Sequence, residues 1–261
     1  MRTRQVRQKV VALLPPFIKE PLKRTRDFAR TYVAPIAYHG TGRFCPVCEK
    51  TSSRFARYGA ISRNDALCMR CNSLERHRLL WLYLNVKTDL FDGKAKTVLH
   101  VAPESCLEAK FRQRLGAGYV TADLFNPRAM VKMDIMDIRF PDQSFDVIYC
   151  SHVLEHVADD RQAIKEFHRV LKRDGWAILL VPILSEKTFE DPSIVDPEAR
   201  VQAYGQADHV RSYGPDYVDR LRDAGFKVDI TRVADLAAPD DATLMGLGPL
   251  SGEIYFCVRQ D

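Results

Sequence analysis

From Thr97 to Arg259 the chain alternates short apolar runs with amphipathic stretches of helical period, and few architectures accommodate that rhythm. TVLHVA (97–102) reads as a buried strand, and PESCLEAKFRQRL (103–115) as a helix with Pro103 suited to its first turn. GYVTAD (118–123) is a second strand, and FDVIYCS (145–151) another, after the turn-like PDQS. DDRQAIKEFHRVLKRDG (159–175) predicts a helix closed by Gly175. WAILLVP (176–182) is a strand and PDYVDRLRDAGF (215–226) a helix ending at Gly225, followed by strands in KVDITRVA (227–234) and GEIYFCVR (252–259). Strands and helices in this order imply an α/β fold with a mostly parallel sheet and helices on both faces. No internal repeat interrupts it.

At 261 residues the chain has room for one such domain and one small module. The apolar share of 46% and charged share of 28% suit a globular protein, and no apolar run reaches eighteen residues, which argues against a membrane-spanning helix. The arginine-rich start lacks a secretory core and cleavage site, so a cytoplasmic protein with reduced cysteines is expected; a mitochondrial targeting role for those arginines is the alternative. The net charge of +5 is uneven, with +8 in residues 1–44, +4 in 45–94 and −7 in 95–261. Residues 1–43, cut by Pro15, Pro16, Pro21 and Pro35, form a basic segment that suits nucleic acid, a membrane surface or an acidic partner, or is a solvated tail. In Ser73–Leu90, Leu74, His77, Leu80, Trp81 and Leu84 recur at helical spacing, with Ser73 as N-cap.

Between these parts, Cys45-Pro-Val-Cys48 and Cys68-Met-Arg-Cys71 are separated by nineteen residues. Two C-x-x-C knuckles at that distance are the pattern of a tetrahedral zinc site, with Lys50, Arg54, Arg57 and Arg70 favouring thiolates; a redox pair is the alternative. Four thiolates close the coordination sphere, so such a zinc is structural. The expected organisation is a basic segment over 1–43, a zinc ribbon over 44–72 and an α/β domain over 73–261. Cys106, Cys150 and Cys257 fall inside the α/β pattern and read as core.

The stretch MDIMDIRFPDQSFDVIYCSHVLEHVADDRQAIKEFHRVLKRDGWAILLVP (133–182) resembles the central part of class I S-adenosylmethionine-dependent methyltransferases. It is similar above all to the group containing the ubiquinone- and menaquinone-biosynthesis enzymes, with their D-x-x-D-L-P-F, H-x-L-E-H-V and R-V-L-K-P-G-G signatures. The resemblance covers 97–181 closely and 211–259 by element order. It implies a Rossmann-like, seven-stranded sheet with an antiparallel last strand and a ligand crevice at the carboxyl ends of the strands. By position it assigns Asp123, with Leu124 beside it, to the cofactor ribose, Asp134 and Ile135 to the adenine, and Cys150 and Ser151 to the neighbourhood of the methyl group. The glycine-rich first motif departs from the family: VLHVAPESC (98–106) has His100 in place of the acid and no glycine. Ala102 and Pro103 must then shape the turn, with His100 and Glu104 on the cofactor side and Glu104 a candidate for the amino group of the methionine part. Either the loop is a variant or the domain is a degenerate scaffold.

His152-Val-Leu-Glu155-His156 follows the fourth strand, and positions 152, 155 and 156 share a face if the segment is helical. His152 is the first candidate for a general base, with His156 and His209 as further catalytic candidates. The spacing also resembles the E-x-x-E-H pattern of divalent-metal-dependent quinone O-methyltransferases and small-RNA 2′-O-methyltransferases. That gives a second possible metal at His152, Glu155 and His156, completed by His209; a purely structural role stands beside both. Residues 183–210 form a long insertion, expected to be a substrate lid, with Phe189, Tyr204, His209, Arg211 and Tyr213 as candidate acceptor contacts. The acceptor is expected to be a small molecule, such as a sugar, lipid or natural-product intermediate, methylated on O or N. An RNA methyltransferase is the alternative, since a zinc module ahead of this fold resembles certain ribosomal RNA guanine methyltransferases; a non-catalytic zinc-ribbon scaffold is the other.

Overall fold

The computed structural model describes residues 33–59 and 62–260. The basic segment 1–43 therefore lies, up to residue 32, outside the described residues. The chain divides into two units after Leu82, with Ala237–Ser251 belonging to the first.

Two antiparallel hairpins build the first unit: β1 (Arg43–Cys45) with β2 (Lys50–Ser52), and β3 (Ala56–Tyr58) with β4 (Arg63–Leu67). A helix, Glu75–Lys87, follows. Leu74, His77, Leu80, Trp81 and Leu84 are buried as their spacing predicts. Arg78 sits among them fully buried, its guanidinium over the Phe55 ring at 4.1 Å. It donates to the carbonyls of Asp65, Ala66, Ser73, Met245 and Gly246 at 2.6–3.4 Å. These bonds tie three separate segments of the chain, which is why the boundary falls after Leu82 and gathers in Ala237–Ser251, against the expected start of the α/β domain at Ser73. Ser73 is also not the helix cap, because its hydroxyl faces cysteine sulfurs.

In the second unit a seven-stranded sheet contains β5 (Val98–Val101), β6 (Tyr119–Asp123), β7 (Val131–Lys132), β8 (Phe145–Ser151), β9 (Leu171–Leu180), β12 (Phe226–Thr231) and β13 (Ile254–Arg259). Their order is β12-β13-β9-β8-β5-β6-β7. Only the last strand, β13, runs antiparallel to its neighbours, as the resemblance implied. Every residue of β5 is buried, His100 included, as in a strand covered on both faces. Chain order moves outward from β5 to β6 and β7, then crosses back so that β8 lies on the other side of β5. That reversal puts a topological switch point at the carboxyl ends of β5 and β8, the place where open α/β sheets bind ligands.

One element differs from expectation. The helix predicted to run to Gly175 ends at Val170, and β9 starts at Leu171, whose partner is Phe145. The backbone turns extended at Leu171 because Gln143 and Ser144 amides take the carbonyls of Arg169 and Val170. Gly175 is thus needed inside a strand: a Cβ there would stand 2.7 Å from the Asp146 carbonyl oxygen.

Candidate functional site

The four cysteines converge. Cys45 and Cys71 sulfurs lie 3.6 Å apart, Cys48 and Cys68 3.8 Å apart, and all four within 4.8 Å of one another. An ion with Zn–S bonds near 2.3 Å imposes a sulfur–sulfur edge of about 3.8 Å in a tetrahedron, so the donor set fits. Each knuckle closes the same way: the amides of Glu49 and Asn72 donate to the carbonyls of Cys45 and Cys68 at 2.8 and 2.9 Å. Both residues are left-handed, at φ +57° and +64°. The Ser73 hydroxyl stands 3.1 and 3.2 Å from the Cys45 and Cys71 sulfurs and orients them. Hydrogen bonds from Cys48, Cys68 and Cys71 hold the Cys45 thiol far below its ordinary range, while Cys45 pushes Cys48 and Cys71 up.

At the crevice of the second unit, the glycine-free loop has a definite architecture. Ala102, directly after β5, adopts φ +49°, the left-handed conformation that a glycine would take without strain, and its amide donates to the Ala122 carbonyl. His152, directly after β8, does the same at φ +57°. Val101 pairs with Cys150, so these two strained residues leave neighbouring strands at nearly the same level. His100 is fully buried; Nδ1 shares a hydrogen bond with the Tyr119 hydroxyl and Nε2 with a Glu104 oxygen, both at 2.7 Å. The other Glu104 oxygen accepts from the Tyr149 hydroxyl at 2.9 Å. His100 therefore reaches any ligand only through Glu104, whose carboxylate it holds at the start of helix Ser105–Leu115.

Asp123 ends β6, half buried, with Oδ1 accepting from the Phe125 and Asn126 amides. Asp134 is likewise half buried, and its Oδ1 accepts from the Met136 amide. Each carboxylate spends one oxygen on its own turn and has no hydrogen bond to the other among the described residues. Leu124 and Asp134 line one cleft of about 290 Å³, together with Met133 and Phe140. Ile135 is buried behind it. Cys150 is sealed in the core, where burial pushes its thiol up, and only its backbone is left to face a ligand.

The segment after β8 is not a continuous helix. His152 is left-handed with Nδ1 shared with the Ser151 hydroxyl, and a single tight turn spans Leu154–His156. Positions 152, 155 and 156 accordingly do not form the expected ligand face. Glu155 and His156 are joined instead by His209, with one ligating atom from each within 4.8 Å. The rings of His156 and His209 meet edge to face at 4.7 Å. Burial, with help from His156, lowers the His209 pKa.

The insertion is structured rather than an open loop. In it β10 (Phe189–Glu190) pairs with β11 (Arg211–Ser212), and helix Pro197–Tyr204 is capped by Asp196 and closed by left-handed Gly205. Four of the five expected acceptor contacts are buried: Tyr204, His209, Arg211 and Tyr213, with Phe189 the exposed one. Tyr204 is bonded to the Asp191 backbone and Tyr213 to Asp160, so neither is available to an acceptor. Arg211 donates to the carbonyls of Leu154, Val157 and Ala158 and to Glu190 at 2.6–2.9 Å. Arg220 pairs with Asp160 and Glu190. The sequence gives no sign of this network, because Asp160 and Arg220 lie in separate helices, Glu190 in the insertion, and Arg211 reads as an acceptor contact.

In comparison with known proteins, residues 96–179 match a family model described as a methyltransferase domain. Forty-one residues are 49% identical to an uncharacterized methyltransferase, YcgJ, of Bacillus subtilis (strain 168), covering 16% of each chain. A sterol 24-C-methyltransferase of Yarrowia lipolytica is 34% identical over 127 residues, covering 47% of this chain and 32% of that one. The chain thus spans between a sixth and a third of the length of these relatives. Among solved structures, a Burkholderia thailandensis 1,6-didemethyltoxoflavin-N1-methyltransferase is similar at TM-score 0.45 and 16% identity, over 66% of this chain and 75% of that one. An S-adenosylmethionine-dependent methyltransferase of Mesorhizobium loti is similar at 0.45 and 14%, over 69% and 97%. No helix among the described residues is long and apolar enough to cross a membrane.

Proposed function

We propose that this protein is an S-adenosylmethionine-dependent methyltransferase that modifies an oxygen or nitrogen of a small molecule, and that its four cysteines hold a structural zinc. The observation that carries the first part is the row of three carboxylates along the crevice edge: Glu104 after β5, Asp123 at the end of β6 and Asp134 just beyond β7. Asp123 has an oxygen to accept from ribose hydroxyls, and Asp134 one for an adenine amino group. Glu104, fixed by His100 and Tyr149, offers a carboxylate to the ammonium of the methionine part, replacing the acid that family members carry at position 100. The cofactor, when bound, supplies an electrophilic methyl group on a sulfonium. The protein's own work is to align the acceptor and take up its proton, for which His152 at the end of β8 is the candidate.

Calorimetric titration with S-adenosylmethionine tests the reading. Binding is expected in the wild type, and Glu104→Gln is expected to weaken it about tenfold, the loss of one charge-assisted contact. No binding at millimolar cofactor sinks the enzyme reading and leaves a scaffold. Labelled methyl transfer into cell extract, separated into small-molecule, lipid and RNA pools, then identifies the acceptor; label in RNA alone overturns the small-molecule assignment.

A further inference from the structure

Beyond the cofactor crevice, we propose that Glu155, His156 and His209 form a second metal site, for a first-row divalent cation held by two imidazoles and a carboxylate. The three offer one ligating atom each within 4.8 Å, and Glu155 and His209 are each only 1% exposed.

The hydrogen bonds fix which nitrogens point inward. His209 Nδ1 lies 3.2 Å from the Tyr204 carbonyl and His156 Nδ1 3.2 Å from the Asp208 carbonyl. A carbonyl can only accept, so each Nδ1 carries the proton and each Nε2 carries the lone pair. His209 Nε2 is buried with no hydrogen-bond partner among the described residues. Donation of the far ring N–H to a backbone carbonyl is how metal-bound histidines are oriented. The Asp208 carboxylate, 3.5 Å from His156 Nδ1, adds to that support.

The scaffold around the three is stiff. The Val210 amide donates to the Glu155 carbonyl at 2.9 Å, tying the two ligand-bearing segments together. Arg211 clamps the carbonyls on either side, and its charge is answered by Glu190 and Asp160. Metal–ligand bonds near 2.1 Å require donor separations of about 3.3 Å, so the cluster must tighten. His156, about one-third exposed, is the ligand able to swing inward. His152 takes no part.

Two imidazoles and one carboxylate suit Zn²⁺, Fe²⁺ or Co²⁺ better than Mg²⁺, and three protein ligands leave a position open for water or an oxygen of another molecule. If the methyltransferase reading holds, that position suits an acceptor hydroxyl, whose proton an ion would loosen.

The test counts ions rather than turnovers. Full-length protein is equilibrated with Zn²⁺, desalted and analysed for metal, expecting two equivalents in the wild type and one in His156→Ala. Because His156 is the most exposed ligand, that variant should fold; His209→Ala is the second variant, with circular dichroism as control. Titration with Co²⁺ separates the sites: the cysteine set gives thiolate charge-transfer bands, and the second equivalent adds weak d–d bands without them. His156→Ala should weaken that second equivalent by more than about 100-fold, since loss of even an outer partner costs 10–100-fold. A single equivalent in the wild type, thiolate bands alone, or two equivalents retained in a folded His156→Ala would overturn the site. None of these outcomes depends on cofactor binding, so a failed methyltransferase assignment is told apart from a failed metal site.

Discussion

The four-cysteine cluster and the Glu155–His156–His209 cluster are built on opposite plans. In the first, all donors come from two turns of the same design, each a C-x-x-C followed by a left-handed residue, so ligand spacing is a local property of the chain. In the second, two donors follow β8 and the third comes from the end of the 183–210 insertion, and nothing local brings them together. What does is Arg211, whose buried guanidinium holds Leu154, Val157 and Ala158 by their carbonyls while its own strand carries the chain on from His209. The first unit has a counterpart in Arg78, which gathers five carbonyls. A buried arginine thus replaces local spacing wherever distant segments must be fixed.

Removing the metal from the cysteines should give the largest effect. The hairpins flanking the knuckles are three to five residues long, too short to stand alone. A structural zinc contributes on the order of 10 kcal/mol to such a module. Chelator with reductant, or Cys48→Ser, is expected to collapse the amide resonances of residues 43–74 to random-coil positions while those of the sheet stay dispersed. Retention of the dispersed signals would mean that Arg78 and the apolar contacts suffice, and the contrast between the two plans would fail.

Arg211→Met should rank second, at about 3–5 kcal/mol, because it strands three carbonyls and leaves the buried Asp160 and the partly exposed Glu190 with Arg220 as their remaining cation. Thermal unfolding of the variant measures it. A loss under about 1 kcal/mol would show that the Val210–Glu155 backbone bond alone aligns the segments.

These contrasts explain what could be read in the chain. The succession of strands and helices and the two cysteine pairs follow from patterns within one element or one turn, the antiparallel last strand follows from the family resemblance, and all are present in the structure as expected. The end of helix Asp160–Val170 was misplaced because Lys172–Gly175 suits a helix terminus locally, whereas pairing of Phe145 with Leu171 claims that stretch for the sheet. His152 was grouped with Glu155 and His156 on the assumption of a helix, which its left-handed backbone excludes. Arg78, Arg211 and the Glu104–His100–Tyr149 chain were invisible because each joins residues that only the folded sheet or module makes neighbours.

Acid should probe the same network more gently. Burial would raise the Glu190 pKa, but hydrogen bonds from Arg220 and Arg211 outweigh it and bring it down to about 2. A folded pKa below the unfolded value near 4.3 gives stability that is complete above about pH 5 and is lost as pH falls toward 2. With the side chain 40% exposed, solvent screening limits that share to about 1 kcal/mol. Glu190→Gln should therefore melt below wild type at pH 7, with the gap narrowing as pH falls through about 2; a gap that does not narrow would assign its effect to packing.

The smallest expected effect belongs to the loop that departs most from its family. Ala102 holds φ +49°, and a left-handed non-glycine residue costs roughly 1–2 kcal/mol. Glycine removes that strain but gives back about 0.5–1 kcal/mol of chain entropy. Ala102→Gly should therefore stabilise the protein by about 0.5 kcal/mol, read as a rise in urea midpoint at unchanged slope. The loop would then owe its shape to Glu104, His100 and Tyr149 rather than to the residue at the turn, and cofactor affinity should hold within about twofold. A destabilised Ala102→Gly would show that the methyl group of Ala102 packs usefully, and that this glycine-free loop is shaped by its turn residue after all.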